Sequence, residues 1–141
     1  MRSPFPLDQD LPSDIERVLA YWEGLKRGEA TMPFADDLSL AALGEIAGKT
    51  VLIEAMDLPP RFRFAEAGDE VARRWGKHDL EGCFADEIGR GAPFDFLLAQ
   101  LSATLEAGGP TLWRSEESGY SRLLLPLWGD GRVSTLLGCI A

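Results

Sequence analysis

Residues 61–82 read RFRFAEAGDEVARRWGKHDLEG, and this stretch sets the local order of the fold. Phenylalanine alternates with arginine at its start, and this two-residue period predicts a strand over 61–67. Asp69 is expected to cap a short helix that carries Trp75 on its apolar side, and Gly76 is expected to end that helix. The stretch predicts a strand, a short helix and a glycine-bounded turn folded over an aromatic core, and it contains no catalytic motif.

An arm and an amphipathic helix precede this stretch. The proline-rich residues 1–12 are typical of a loose arm, and residues 13–27 predict a helix. Ser13 and Glu16 form a capping-box pattern, in which Ser13 caps and Glu16 reaches back. The apolar positions of the helix fall on one face: Ile15, Val18, Leu19 and Trp22. Such a face fits a helix packed on its own domain and fits a homodimer contact equally well, and we expect it to serve both.

Five segments carry strand signals, and two further segments carry helix signals. The strands are predicted over 50–57, 61–67, 111–117, 120–128 and 132–140. A short helix is predicted over 39–47, and a longer one from Pro93 to Glu106. The apolar positions of the longer helix are Phe94, Leu97, Leu98, Leu101 and Leu105. Turns are predicted at Leu58-Pro59-Pro60 and at Asp130-Gly131.

The apolar pattern of the last two strands indicates how the layers pack. Residues 123–127 read LLLPL, and residues 136–137 are both leucine. A strand with one wet face should alternate, so both faces of this sheet need cover. The predicted fold class is α+β: a five-stranded antiparallel sheet with the central helices on one face and the N-terminal helix on the other.

Composition limits the possible partners. The chain has 141 residues, which suits a single domain over 1–141. Its formal net charge of -9 argues against nucleic acid and against an anionic membrane surface, both of which attract basic proteins. The two cysteines cannot form a disulfide framework, and the N-terminus lacks an apolar signal core. These features favour a reducing, cytoplasmic location.

The order of elements resembles that of PAS domains, in particular short single-domain bacterial PAS proteins. The residues that carry the resemblance are Tyr21-Trp22, residues 59–64 running into Gly68, Gly76 with Leu80-x-Gly82, and residues 122–127 with Asp130-Gly131. The resemblance implies a PAS core over 50–140, a sensory or signalling role, and a small pocket between sheet and helices. No effector follows the last strand in this sequence, so we expect output through a protein partner or a homodimer.

The expected pocket lies between the sheet and the longer helix, where a small-molecule ligand could bind. Mid-strand aromatics, the short-helix segment and the stripe of the longer helix should meet there. The predicted lining residues are Phe64, Trp75, Phe84, Phe94, Leu97, Leu101, Trp113 and Leu124. So many large side chains would leave a small pocket, or fill it.

Catalytic, metal and cofactor sites are not expected. His78 is the only histidine, so a metal site or a nucleophilic triad has no companion residues. The longer helix lacks the histidine that haem-binding PAS domains usually carry there, and residues 82–86 depart from the flavin-binding motif of that family. The alternative is a small cone-shaped isomerase or hydratase. It would need Tyr120, Asp57 or His78 in a buried site.

Overall fold

The computed structural model describes residues 5–57, 60–88 and 91–141. The α-helices are α1 (Ser13–Leu25), α2 (Asp69–Trp75) and α3 (Leu97–Ala107). The strands are β1 (Thr50–Asp57), β2 (Pro60–Ala67), β3 (Thr111–Ser115), β4 (Tyr120–Gly129) and β5 (Arg132–Ile140). Three 3₁₀ segments cover Ala35–Asp37, Leu40–Lys49 and Ala85–Glu87. The fold class is α+β, as predicted.

The five strands form one antiparallel sheet in the order β2-β1-β5-β4-β3. Each predicted strand is confirmed, with ends that differ by no more than two residues. Asp130 and Gly131 both have positive φ, of 53° and 77°, which is the backbone that a two-residue hairpin turn requires. In the turn predicted at 58–60, residues 58 and 59 lie outside the described residues, and Pro60 is the first residue of β2.

The inner face of the sheet packs against α2 and α3. The buried residues of this layer include Ile53 on β1, Phe64 on β2, Leu124 on β4, Trp75 on α2 and Leu101 on α3. Alternate residues of each strand point to this side, so the two-residue period predicted from the sequence has the expected consequence.

The outer face of the sheet is covered by α1 of the same chain. Ile15, Val18 and Trp22 are fully buried in a cluster with β4 and β5 residues such as Leu125. The Trp22 indole Nε1 donates a hydrogen bond to the Pro126 carbonyl oxygen at 2.8 Å. The predicted division of cover, with α1 on one face and the central helices on the other, is therefore confirmed.

Gly68 is needed where the first hairpin meets α2. Its backbone N–H donates to the Thr50 carbonyl oxygen at 2.8 Å. A Cβ at this position would lie 2.4 Å from the carbonyl oxygens of Ala47 and Gly48. Only glycine allows the backbone at position 68 to come this close to residues 47 and 48. Gly68 therefore links the end of β2 to the start of β1.

The two predicted helix caps are wrong. Pro12 is the N-cap of α1, and its carbonyl oxygen accepts the Glu16 N–H at 2.9 Å, so Ser13 makes no capping bond. Gly68 is the N-cap of α2, and Asp69 is the first residue of that helix. Glu16 and Asp69 therefore lie within the first turns of α1 and α2. A negative charge at that position is stabilised by the positive end of the helix dipole.

Three predicted helix bounds also need correction. The first helix ends at Leu25 rather than at residue 27. The helix predicted over 39–47 is a 3₁₀ segment over Leu40–Lys49, interrupted at Gly44, where φ is 61° and ψ is -130°. The longer helix begins at Leu97, so Pro93 is not its first residue.

The buried face of α3 also differs from the predicted stripe. Leu98 and Leu105 are exposed, and the buried positions are Leu97, Gln100, Leu101 and Thr104. These positions keep the helical spacing, but polar residues occupy two of them because they satisfy a buried network described below.

The N-terminal arm has defined contacts from Phe5 onward. The Phe5 carbonyl oxygen accepts the backbone N–H of Leu112 at 3.1 Å. The Asp8 carboxylate pairs with Arg114 at 2.9 Å, and the Arg114 guanidinium also donates to the Asp10 carbonyl oxygen. The described part of the arm therefore lies against the edge strand β3, which limits pairing of that edge with other chains.

Candidate binding cleft

Most of the residues predicted to line an interior pocket do meet, as a packed layer. Six of the eight are buried in the inner cluster: Phe64, Trp75, Phe94, Leu97, Leu101 and Leu124. The Phe94 ring centroid lies 5.2 Å from that of Phe64 and 5.3 Å from that of Trp75, with the rings tilted. These distances are typical of packed aromatic pairs, so the side chains fill much of the space between sheet and helix themselves.

Phe84 takes a different place from the one predicted. It is half-buried, and the guanidinium of Arg61 lies 3.6 Å from its ring centroid. Arg61 also donates to both carboxylate oxygens of Asp86, at 2.9 and 2.7 Å. Hydrogen bonding from Arg61, together with the positive charge of its guanidinium, lowers the pKa of Asp86. Phe84 therefore supports an ion pair beside the core.

An open cleft of about 930 Å³ lies at the surface next to the packed layer. It is bounded by residues 85–86, by the segment that leads into α3, by the first turn of α3, and by β3 and the residues that follow it. The lining residues are Ala85, Asp86, Phe94, Asp95, Phe96, Leu97, Leu98, Ala99, Trp113, Arg114, Ser115, Glu116 and Glu117. Three of the eight predicted residues, Phe94, Leu97 and Trp113, are thus cleft residues.

Apolar side chains are presented to solvent at this cleft. Phe96 is 68% exposed and Leu98 is 44% exposed. The Phe96 ring centroid lies 5.7 Å from that of half-buried Trp113. Phe96 has φ of 58°, the left-handed conformation that residues with a Cβ rarely adopt. Strained backbone of this kind occurs often at binding sites, and here it holds an aromatic ring in the open.

A buried arginine supports the cleft from below. Arg122 on β4 has no exposed surface, and its guanidinium lies 5.0 Å from the Trp113 ring centroid. It donates to the Gln100 side-chain oxygen at 2.7 Å, to the Pro93 carbonyl oxygen at 2.8 Å and to the Asp95 carbonyl oxygen at 2.7 Å. Burial lowers the pKa of Arg122 to about 10. These bonds tie the segment that presents Phe96 to the sheet.

The polar network continues behind α3. The Gln100 side-chain nitrogen donates to the Thr111 hydroxyl at 3.0 Å and to the Arg122 carbonyl oxygen at 3.1 Å. The Thr104 and Thr111 hydroxyls are 2.6 Å apart, and Thr104 donates to the Gln100 carbonyl oxygen at 2.8 Å. Sequence reasoning missed this network. The available signal was the polar residues at 100 and 104, which share the helical spacing of Leu97 and Leu101.

The three candidate catalytic residues are not brought together. Asp57 and His78 are exposed, at the end of β1 and in the turn after α2. Tyr120 is buried, and its hydroxyl donates to an Asp95 carboxylate oxygen at 3.3 Å. Burial raises the pKa of Tyr120 to about 12, which disfavours the phenolate. In the described part of the chain these side chains share no hydrogen bond, and no group of three or more His, Cys, Asp or Glu is placed to hold a metal ion.

No protein-family model, curated protein or solved structure gives a significant match to this chain. Within residues 5–57, 60–88 and 91–141, every helix is too short or too polar to cross a membrane.

Proposed function

We propose that the protein is a PAS-like sensory and signalling module that binds its ligand or partner at the cleft between α3 and β3. The order of elements supports the family: two strands, short helical segments, one longer helix and three strands, in one antiparallel sheet. Cover on both faces of the sheet also fits a compact regulatory domain. The family assignment rests on this order and on the residues named for the resemblance.

One observation carries the proposed site: Phe96 is held exposed in left-handed backbone beside Trp113 and Leu98. An exposed phenylalanine in this conformation costs about 1–3 kcal/mol of backbone strain. Arg122 offsets that strain by binding the carbonyl oxygens of Pro93 and Asp95. A rigidly presented apolar patch of this kind is typical of a recognition surface.

The arrangement favours binding over the alternative of a small isomerase or hydratase. General acid–base chemistry needs facing titratable groups whose pKa values lie near the working pH. Burial raises the pKa of Tyr120, and its hydroxyl donates to the Asp95 carboxylate from the buried side of the cleft. Asp57 and His78 lie elsewhere on the surface. A binding module therefore accounts for the cleft better than an enzyme does.

Two further parts of the proposal concern assembly and location. The homodimer through α1 stays a prediction. The apolar stripe that motivated it is buried on the sheet of the same chain, so a dimer would use the exposed side, with Glu16, Arg17 and Glu23. Cys83 and Cys139 are free thiols, which supports a reducing compartment such as the cytoplasm.

The cleft can be tested with a nuclear magnetic resonance screen of ¹⁵N-labelled protein. The probes are small aromatic and aliphatic amines, carboxylic acids and neutral compounds. We expect hits to shift the backbone amides of residues 95–99 and 113–117, because these surround the cleft. The double variant Phe96→Ala/Leu98→Ala should lose those shifts. Met56→Ala, which truncates an exposed apolar residue on β1, is the matched control and should keep them. Hits that map only to other residues would contradict the proposed site, and so would a screen without hits if no partner segment shifts these amides either.

A further inference from the structure

We propose that the occupant of the cleft is a basic amphipathic helix of a partner protein, an inference that rests on the function proposed above. The juxtaposition that points to it is an exposed apolar strip that begins at the N-cap of α3 and continues along that helix, with unpaired carboxylates beside its cleft end. The strip comprises Phe96, Leu98 and Leu105, which are 68%, 44% and 38% exposed. Each part of this surface has a counterpart on a helix with leucines on one face and lysines or arginines beside them.

The strip is longer than the cleft. Leu98 and Leu105 are seven residues apart on the same side of α3, so they are separated by about 10 Å along the helix axis. Exposed Ser102 lies between them and is small enough for another helix to approach closely. A compact metabolite in the cleft would leave Leu105 in water, whereas a helix laid along α3 would cover both leucines.

The charges beside the strip are negative and in large part unpaired. Asp86, Asp95, Glu116 and Glu117 line the cleft. Asp86 is paired with Arg61, and the cationic lining residue, Arg114, is paired with Asp8. Glu116 and Glu117 are exposed and form no ion pair with the described residues, and Asp95 contacts the neutral Tyr120 hydroxyl. The described lining residues therefore carry net negative charge that a cationic partner would complement.

The same charges argue against a second copy as the occupant. Two copies docked cleft to cleft would bring Asp95, Glu116 and Glu117 of each chain together in a partly desolvated interface, where like charges repel. Each copy would also carry the net charge of -9. A basic segment is instead attracted at long range and then held by the apolar contacts.

The test uses three synthetic peptides of about 18 residues, which as helices would have about five turns. The first places leucine on one helical face and lysine on the other. The second keeps the leucines but replaces every lysine by glutamate. The third has the composition of the first in scrambled order, without an apolar face. Binding to the full chain is measured by isothermal titration calorimetry, and the site is mapped by ¹⁵N amide shifts.

We expect the amphipathic leucine–lysine peptide to bind and to shift the amides of residues 95–106 and 113–117. Its affinity should exceed that of the other two peptides by about tenfold or more, because only it combines both attractions. Glu116→Lys/Glu117→Lys should weaken its binding about tenfold. Glu29→Lys/Glu45→Lys reverses two exposed charges outside the cleft and is the matched control, which should change affinity little.

Several outcomes would overturn the inference. These are no binding of the leucine–lysine peptide, equal binding of the scrambled or glutamate peptide, and unchanged affinity after the reversal at 116 and 117. The small-molecule screen separates the two proposals. If small compounds bind at the cleft in a Phe96-dependent way but the peptide does not, only the basic helix is wrong. If neither the compounds nor the peptide shifts cleft amides, the proposed function is wrong as well.

Discussion

Arg122 is a buried cation whose described hydrogen-bond acceptors are neutral oxygens. Its pKa of about 10 lies below the ordinary value of 12.5, because burial disfavours the charged form. Between those two pH values the unfolded chain binds more protons, so the contribution of Arg122 to stability rises with pH there. Below pH 10 its buried charge therefore opposes folding. The bonds to Gln100, Pro93 and Asp95 offset that cost, which gives the residue a positioning role at the cleft.

Replacing Arg122 should lower the stability of the fold and should also release residues 93–95, which it holds beside the cleft. Arg122→Lys keeps a charge, but its single ammonium cannot match the planar fork that reaches three separate acceptors. Leaving a buried acceptor unsatisfied costs about 1–3 kcal/mol. We expect a lower free energy of unfolding in urea, together with amide shifts at residues 93–97. Arg73→Lys, on the exposed side of α2, is the control and should change stability by less than about 0.5 kcal/mol. If Arg122→Lys were as stable as the wild type, the hydrogen bonds of Arg122 to Gln100, Pro93 and Asp95 would not contribute to stability.

Among the elements, the strands were predictable and the helix details were not. Strand limits follow from alternating side chains and from turn residues such as Asp130-Gly131, which are local signals. The position of a helix cap depends on the backbone path of the preceding loop. In α1 that path makes Pro12, rather than Ser13, the N-cap. The buried face of α3 depends on what it faces across the interior. Gln100 turns inward because Arg122 and Thr111 offer it bonds, and no pattern within the helix contains that information.

α1 should be necessary for a stable, non-aggregating fold, because it covers the outer face of the sheet. Deletion of residues 1–28 would expose Leu125, Leu127 and their neighbours in the outer cluster. An apolar face of that size promotes association, so we expect aggregation or loss of the cooperative thermal transition. Deletion of residues 1–4 alone, which leaves α1 intact, is the control, and both proteins are compared by sedimentation velocity and melting. A truncated protein as soluble and stable as the full chain would contradict the covering role.

At the scale of the whole molecule, the sequence predicts only part of the cleft lining. Phe94, Leu97 and Trp113 were predicted to line a pocket between the sheet and the longer helix, and in the structure they line the surface cleft instead. Leu98 was missed because apolar residues in a helical stripe are expected inside, whereas tertiary packing leaves it exposed. Phe96 lies outside that stripe, and the left-handed backbone that exposes its ring is rare for a phenylalanine. Glu116 and Glu117 follow β3 in the chain, and they line the cleft because β3 packs beside α3, which is a tertiary contact that local sequence does not show.

One cavity-forming substitution can show whether a small apolar ligand binds between the sheet and α3 or at the surface cleft. Leu101 on α3 has no exposed surface and lies in the inner cluster with Phe64 and Phe94. Leu101→Ala should cost about 2–5 kcal/mol and leave an apolar cavity. Leu98→Ala truncates an exposed leucine on the same helix and is the matched control, for which we expect a change below about 1 kcal/mol.

Small apolar probes then report whether the wild-type interior is filled. Such cavities stay dry and accept molecules of about the size of benzene. A probe that binds only the folded state stabilises it in proportion to ligand occupancy. Toluene or indole should therefore raise the melting temperature of Leu101→Ala while leaving that of the wild type almost unchanged. Equal stabilisation of the wild type, with amide shifts at Phe64 and Leu101, would mean that an interior pocket is already open. In that case the pocket predicted between sheet and helix, rather than the surface cleft, would be the better site for a small ligand.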